Sequence, residues 1–400
     1  MIIKERVFMT SEEIFNLDRE YIANTYSRAP AAIVKGKGAV CEDAEGKKYI
    51  DMGSGIGVNI FGYCDDEWIK AVESQLETLT HTSNIYYTEP GVKLAKALCE
   101  KSGMKKVFFG NSGAEANECA IKTARKYSLD KYNDPSRNVI ITLNKSFHGR
   151  TLATLTATGQ AVFHKTFGPF PEGFRYLDPF KPEQIKELNS DNKACAVLCE
   201  LVQGEGGVNV IDKKTVEYIY NYCHENDLLF MVDEVQTGNG RTGKMYCYQH
   251  YGIIPDVVST AKGLGGGLPI GACLFGDKAK DTLTPGSHGS TFGMNPVVAA
   301  GALNVVSRID DKLLSDVTRK GEYIKQRASK FENLKAVSGI GLMVGIESSK
   351  RTSSEISKIC LENGVLTLTA YEKLRLLPPL TISDEELKQA MDVIEEAFKK

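Results

Sequence analysis

The sequence predicts an α/β protein: a largely parallel sheet with helices on both faces, plus a smaller α+β domain drawn from both ends of the chain. Three features of its 400 residues carry this expectation. From about Trp68 to Val305, short apolar runs alternate with amphipathic stretches, as expected of strands buried on both faces and joined by crossover helices. A hairpin pattern precedes that region. After it, the last hundred or so residues turn into a charged helix-like segment and short strands. A chain of this length accommodates one large and one smaller domain. The expected division is 1–65 for the N-terminal segment and part of the small domain, 66–305 for the large domain, and 306–400 for the rest of the small domain.

In chain order, the first thirty or so residues are polar and read as helical or irregular, without strong caps. Ala39–Asp43 and Lys48–Met52 flank Ala44-Glu45-Gly46-Lys47, a hairpin with a glycine turn. Lys106–Phe109, Asn138–Thr142, Ala196–Cys199, Leu228–Val232 and Val257–Ala261 read as buried strands. The spacing of Ala116, Ala120, Ala124 and Tyr127 marks a helix between the first two. Further on, Lys312–Phe331 reads as a helix, and Ala336-Val337, Leu342–Ile346 and Val365–Leu368 as strands. Asp384–Lys400 closes the chain as an amphipathic helix.

Composition narrows the function. A formal net charge of -2 argues against nucleic acid or anionic membrane as the main partner. Met1–Arg6 carries charges where a secretory signal needs an apolar run, and no apolar segment reaches the ~18 residues of a membrane span. The expected location is cytoplasmic. The ten cysteines form no C-x-x-C and no Cys/His cluster of zinc-binding spacing, so they read as small core residues and no metal is expected.

The chemistry gathers around Lys262, which follows the apolar run Val257–Ala261 and precedes a run read as flexible, Gly263–Gly267. A lysine there suits covalent chemistry on an amine. Asp233 ends the strand-like run Leu228–Val232, at the strand end where open parallel sheets bind ligands. Gly110–Ala116 joins a strand to a helix through small residues, a candidate phosphate turn. Gly238–Lys244 nearly spells a nucleotide P-loop, which leaves a nucleotide-binding protein as an alternative; Met245 cannot supply the hydroxyl that holds magnesium. Phe147, His148 and Arg150 follow another strand, as do Glu200 and Glu205, while Ser290 and Thr291 lie on a glycine-flanked loop. His148 reads as a packing or hydrogen-bonding residue, because nothing near it marks a nucleophile.

Taken together, NSGAEANE over Asn111–Glu118, SFHGRT over Ser146–Thr151, DEVQTGNGRTG over Asp233–Gly243, STAKGLGGGLPIGA over Ser259–Ala272 and Gly289–Phe292 resemble the class III (ornithine-type) aminotransferases, pyridoxal-phosphate enzymes of fold-type I. The resemblance runs through nearly the whole chain, and Gly55–Asn59, Gln203–Gly207 and Arg375–Pro379 are most similar to the acetylornithine branch. It implies a mostly parallel seven-stranded sheet and a homodimer with shared sites. It implies that Lys262 bonds to the cofactor aldehyde and then carries the proton, with Asp233 on the pyridine nitrogen and Gln236 on the phenolic oxygen. Phe147 would stack on the ring, Gly113 and Ala114 would offer amides to the phosphate, and Thr291 would reach the phosphate of the neighbouring subunit. Arg150 would bind the α-carboxylate of N-acetylornithine and Arg375 that of glutamate or 2-oxoglutarate. Glu205 would neutralise Arg375 and Ser290 would help hold the acetylated substrate. The reaction implied moves the terminal amine of N-acetylornithine to 2-oxoglutarate, in arginine biosynthesis. Relatives acting on ornithine, succinylornithine, succinyldiaminopimelate or 4-aminobutyrate are the alternatives, and the lack of a tyrosine in Gly53–Asn59 weakens the first. The chain departs from the family pattern at Leu201, where many relatives have proline, at Ser338 and Ile340, where basic residues are expected, and at Met294, where glycine is common.

Overall fold

A computed structural model describes residues 8–399; Met1–Val7, which includes the charged Met1–Arg6 stretch, and Lys400 lie outside the described residues. Seven strands make the main sheet: β1 (Lys106–Gly110), β2 (Val139–Leu143), β3 (Phe174–Leu177), β4 (Ala194–Cys199), β5 (Leu229–Asp233), β6 (Val257–Thr260) and β7 (Gly271–Phe275). Their order is β1-β7-β6-β5-β4-β2-β3. All run parallel except β7, which is antiparallel to both neighbours. β2, β4, β5, β6 and β7 are buried along their whole length, which explains their unbroken apolar runs.

The sequence pattern missed β3 and β7 for different reasons. β3 is a half-buried edge strand that places Arg175 against Asp191, so it lacks an apolar run. β7 begins inside the glycine-rich stretch after Lys262, where Gly271 looks like loop. It is glycine because a Cβ there would lie 2.0 Å from Ser112 O. That close approach seats β7 against the turn Gly110–Ser112.

The C-terminal layer is an antiparallel sheet of Leu334–Ile340, Met343–Ser348, Lys373–Leu376 and Leu368–Ala370, packed by helices Asp311–Ala328 and Ser353–Glu362. Helix Asp384–Lys399 buries Leu387, Met391, Ile394 and Phe398, each worth about 1.5–3 kcal/mol on full burial. The run Val365–Leu368, expected as one strand, divides between two sheets. Val365–Leu366 pairs in parallel with Lys48–Asp51 of the N-terminal hairpin layer, whereas Leu368–Ala370 joins the C-terminal sheet. The N-terminal hairpin and Val365–Leu366 thereby share one sheet, and Leu377 N donates to Met52 O at 2.7 Å.

Two expectations are corrected. Helix Ser11–Tyr21 has a strong cap: Thr10 Oγ1 accepts from Glu13 N while Glu13 Oε2 accepts from Thr10 N at 2.8 Å. The Thr-x-x-Glu signal was present in the sequence. The run after Lys262 is packed rather than loose: Gly263, Leu264 and Gly265 are buried in a short 3₁₀ turn. A Cβ on Gly263 would meet Ile60 Cδ1 at 2.6 Å. Trp68, the chain's only tryptophan, donates from Nε1 to Gly265 O at 3.1 Å and closes this turn.

Candidate active site

The carboxyl ends of β5 and β6 open into a cavity of about 440 Å³, the place where open parallel sheets receive ligands. Asp233 is the last residue of β5, and Lys262 lies two residues past the end of β6. Lys262 holds φ at +46°, a left-handed value that costs a non-glycine residue about 1–2 kcal/mol. Its side chain opens to the cavity but is otherwise enclosed by protein. Desolvation lowers the pKa of its amine, opposed by the negative charges of Glu205 and Asp233.

Asp233 is 4% exposed and held from three sides. Asn117 Nδ2 donates to Oδ2 at 2.7 Å, Val235 N donates to Oδ1 at 3.0 Å, and His148 Nδ1 lies 2.8 Å from Oδ2. Because the carboxylate accepts from Asn117 and Val235, the contact suits an imidazole that donates from Nδ1. Ser259 Oγ fixes Asn117 in turn, donating to its Oδ1 at 2.6 Å. A carboxylate so oriented can accept one further bond from the cavity side, as a protonated ring nitrogen would offer.

The N-terminus of helix Gly113–Tyr132 also lines the cavity. Ser112 caps it, accepting from Glu115 N at 3.1 Å, and the first intrahelical bond is Ala116 N to Ser112 O. The amides of Gly113 and Ala114 precede that bond and suit an anion. Gly113 is closely packed, since a Cβ would sit 2.7 Å from Val235 Cγ1. The same Val235 is bonded to Asp233.

At the mouth, Phe147 lines the cavity, and the exposed Arg150 lies over its ring at 5.4 Å and over Phe163 at 4.3 Å. Glu205 and Gln236 line the wall. Behind them Arg375, 3% exposed, donates to Glu205 Oε1 at 2.6 Å and Oε2 at 3.2 Å, and to Gln236 Oε1 at 3.2 Å. Eight of the expected site residues therefore line one cavity: Gly113, Ala114, Phe147, Arg150, Glu205, Asp233, Gln236 and Lys262. Arg375 reaches it through Glu205. Ser290 is a step away, accepting from Asn111 Nδ2 at 3.1 Å, and Thr291 is exposed outside the cavity.

His148 proves to belong to the acid's own network, and Asn117 and Ser259 join it without any local sequence signal. Glu200 is another buried member of the wall. It accepts from Phe147 N at 2.9 Å and Gly204 N at 3.3 Å, and burial pushes its pKa up to about 7. The P-loop alternative fails on geometry. Gly238–Lys244 is a string of turns, buried up to Gly243, followed by the four-residue 3₁₀ turn Cys247–His250 rather than by a helix that would receive phosphates.

The family model for aminotransferase class-III matches residues 21–398. An acetylornithine aminotransferase of Haemophilus ducreyi is 49% identical over 96% of this chain and 98% of its own length. One of Methanocaldococcus jannaschii is 41% identical over 98% and 99%. Among solved structures, ornithine aminotransferase from Toxoplasma gondii aligns with a TM-score of 0.93 at 32% identity, covering 98% of this chain and 96% of that one. N-acetylornithine aminotransferase from Stenotrophomonas maltophilia aligns with a TM-score of 0.83 at 32% identity, covering 96% and 98%. Such enzymes use pyridoxal phosphate, and the cavity's chemistry fits that group. A desolvated lysine, a buried carboxylate with an open acceptor position, and a helix N-terminus with free amides answer its aldehyde, its ring nitrogen and its phosphate. By sequence, fold and the make-up of its site, this chain belongs to the class-III aminotransferases.

Proposed function

We propose that the protein transfers the terminal amine of N-acetylornithine to 2-oxoglutarate, giving N-acetylglutamate 5-semialdehyde and glutamate, in arginine biosynthesis. The observation that carries this reading is the Arg375–Glu205 pair at the cavity wall. An aminotransferase of this kind must admit two unlike molecules in turn, and a fork that a built-in carboxylate can occupy or release serves both. With Glu205 on Arg375, the fork is neutralised and a donor enters by its terminal amine while Arg150 takes its α-carboxylate. When 2-oxoglutarate enters, its α-carboxylate displaces Glu205 and is bound in bidentate fashion.

Bound pyridoxal phosphate supplies a cationic ring that withdraws electrons from the carbon bearing the transferred amine. Lys262 would hold the cofactor by its aldehyde, and its amine, whose pKa burial lowers, would take a proton at Nζ from the substrate carbon and return it to the neighbouring carbon. Asp233, its carboxylate fixed by His148 and Asn117, would keep the ring nitrogen protonated. Gln236 would meet the phenolic oxygen, Phe147 would cover the ring, and Gly113 and Ala114 would hold the phosphate. Ser290 helps seat the acetyl group.

A homodimer with shared sites is part of the same proposal, with Thr291 reaching the phosphate held by the partner. An exposed apolar patch supports it. Ile85, Tyr86, Tyr87 and Phe292 are 82%, 65%, 98% and 61% exposed. Asn84 Nδ2 binds the two segments together, donating to Ser290 O at 3.0 Å and Gly293 O at 2.8 Å. Patches of this kind mark protein interfaces. Ten free cysteines, eight of them buried, suit a reducing compartment such as the cytoplasm.

The test is kcat/KM for N-acetylornithine, ornithine and 4-aminobutyrate measured side by side, with 2-oxoglutarate as acceptor. N-acetylornithine should lead. A tenfold lead for either rival, about 1.4 kcal/mol of transition-state preference, overturns the substrate assignment. The visible absorbance of the purified enzyme should vanish on borohydride treatment and be missing from Lys262→Ala.

A further inference from the structure

The turn that follows the acid Asp233 carries a guanidinium with no carboxylate partner among the described residues. Arg241 is 1% exposed. Its Nη1 donates to Leu342 O at 3.1 Å and to Pro378 O, and Leu342 N returns a bond to Arg241 O at 3.0 Å. Nε and Nη2 meet no acceptor. Burial lowers the pKa of the guanidinium. The contact is close on both sides: a Cβ on Gly341 would sit 2.5 Å from the carbonyl carbon of Thr242 and 2.8 Å from Arg241 O.

Fold stability alone explains such a residue poorly. A buried cation without a counter-charge is costly, and an apolar side chain of similar volume would fill the same space at less cost. What the guanidinium does that an apolar side chain cannot is reach two carbonyls at once. One precedes the strand Met343–Ser348; the other lies three residues beyond Arg375. The same segment also touches Arg375 directly, through Gln236 Oε1 at 3.2 Å. Gly240, at φ +85°, wedges the turn against Leu380 and Ile309. Residues 233–241 thus hold the Arg375 fork at its tip and its strand just downstream.

We infer that Arg241 is a positioning residue for Arg375, fixing the distance between the carboxylate fork and the Lys262–Asp233 pair so that an acceptor's carboxylate and carbonyl engage together. This rests on the reading that Arg375 binds the acceptor's α-carboxylate. An amino donor held by Arg150 does not use the fork and should not feel its displacement.

The test compares holoenzyme with Arg241→Met and Arg241→Lys. Calorimetry gives the affinity for glutarate, a dicarboxylate with no reactive carbonyl, and half-reactions followed by visible absorbance give KM for each substrate. In Arg241→Met, Kd for glutarate and KM for 2-oxoglutarate should rise tenfold or more. KM for the donor, and the donor half-reaction rate at saturation, should stay within twofold. Arg241→Lys, which keeps a donor for one carbonyl, should recover part of the loss. Equal losses in both half-reactions, or unchanged glutarate affinity in folded Arg241→Met, overturn the inference. If Arg241→Met does not fold, Arg241→Lys decides alone: glutarate weakened threefold or more with donor KM unchanged supports it, and no shift overturns it. Failure of the unaltered enzyme to bind glutarate or react with 2-oxoglutarate overturns the functional reading as well, and that result is seen without any variant.

Discussion

Glu205→Gln should tighten acceptor binding while weakening the fold, and the opposite signs make it diagnostic. In the unaltered protein an incoming carboxylate must break two contacts, at 2.6 and 3.2 Å, before Arg375 is free. Hydrogen bonds to charged groups are worth about 1.5–3 kcal/mol. The Glu205 side chain is 32% exposed, and solvent screening pulls the value to the low end. Removing its charge should therefore favour an external carboxylate by about 1.5 kcal/mol, roughly a tenfold lower Kd for glutarate by calorimetry. The same change leaves Arg375, 3% exposed, without its only carboxylate partner among the described residues. Breaking a fully buried pair costs about 3–5 kcal/mol. With one partner half-buried, a smaller but clear fall in Tm is expected. Glutarate affinity that stays the same or weakens would refute the idea that Glu205 occupies the acceptor's position.

Two further perturbations test the helix N-terminus at the cavity and the buried acid beside Asp233. Gly113→Ala places a methyl 2.7 Å from Val235 Cγ1 and pushes on the residue bonded to Asp233. Overpacking of about 1–3 kcal/mol should weaken pyridoxal phosphate five- to a hundredfold in titrations of apoenzyme followed by Trp68 fluorescence; unchanged affinity would count against the cradle. Glu234 is fully buried, accepting from Thr237 Oγ1 and Tyr248 N, and burial pushes its pKa up to about 7. Between an unfolded value of about 4.3 and that pKa, the folded chain binds more protons, so stability falls as pH rises from about 4.3 to 7. Glu234→Gln should flatten this decline, by a few kcal/mol at the upper end, in denaturation curves at pH 5 and 7.5. A slope identical to that of the unaltered protein would remove Glu234 as its source.

What could be read from the sequence, and what could not, divides on physical lines. Lys262 and Asp233 stand at the ends of apolar runs, and a strand end is a local signal that needs no knowledge of the rest of the chain. The Glu205–Arg375 pair spans 170 positions and has no periodic signature; only the resemblance to a family brought its members together. The His148–Asn117–Ser259 support of Asp233 was illegible for the same reason, being made by a helix, a loop and a strand that meet only after the sheet has formed. β7 was hidden by chemistry rather than distance. Its first residue is glycine to clear Ser112 O, and glycine reads as loop. The division of Val365–Leu368 between two sheets is likewise a tertiary decision, since either half alone has an ordinary strand composition.

The seating of β7 between β1 and β6 has a consequence for how the protein is made. The turn before the proposed phosphate amides is encoded near residue 112, but the strand that presses on it ends at Phe275. At ~5–20 residues per second, roughly 8–30 seconds of synthesis separate the two. During that interval β1 lacks its only sheet neighbour, and Gly271 is not yet there to pack on Ser112 O. If Gly113 and Ala114 hold the phosphate as proposed, their cradle is completed only once Gly271–Phe275 has been made, so the sheet would assemble before the cofactor could be captured.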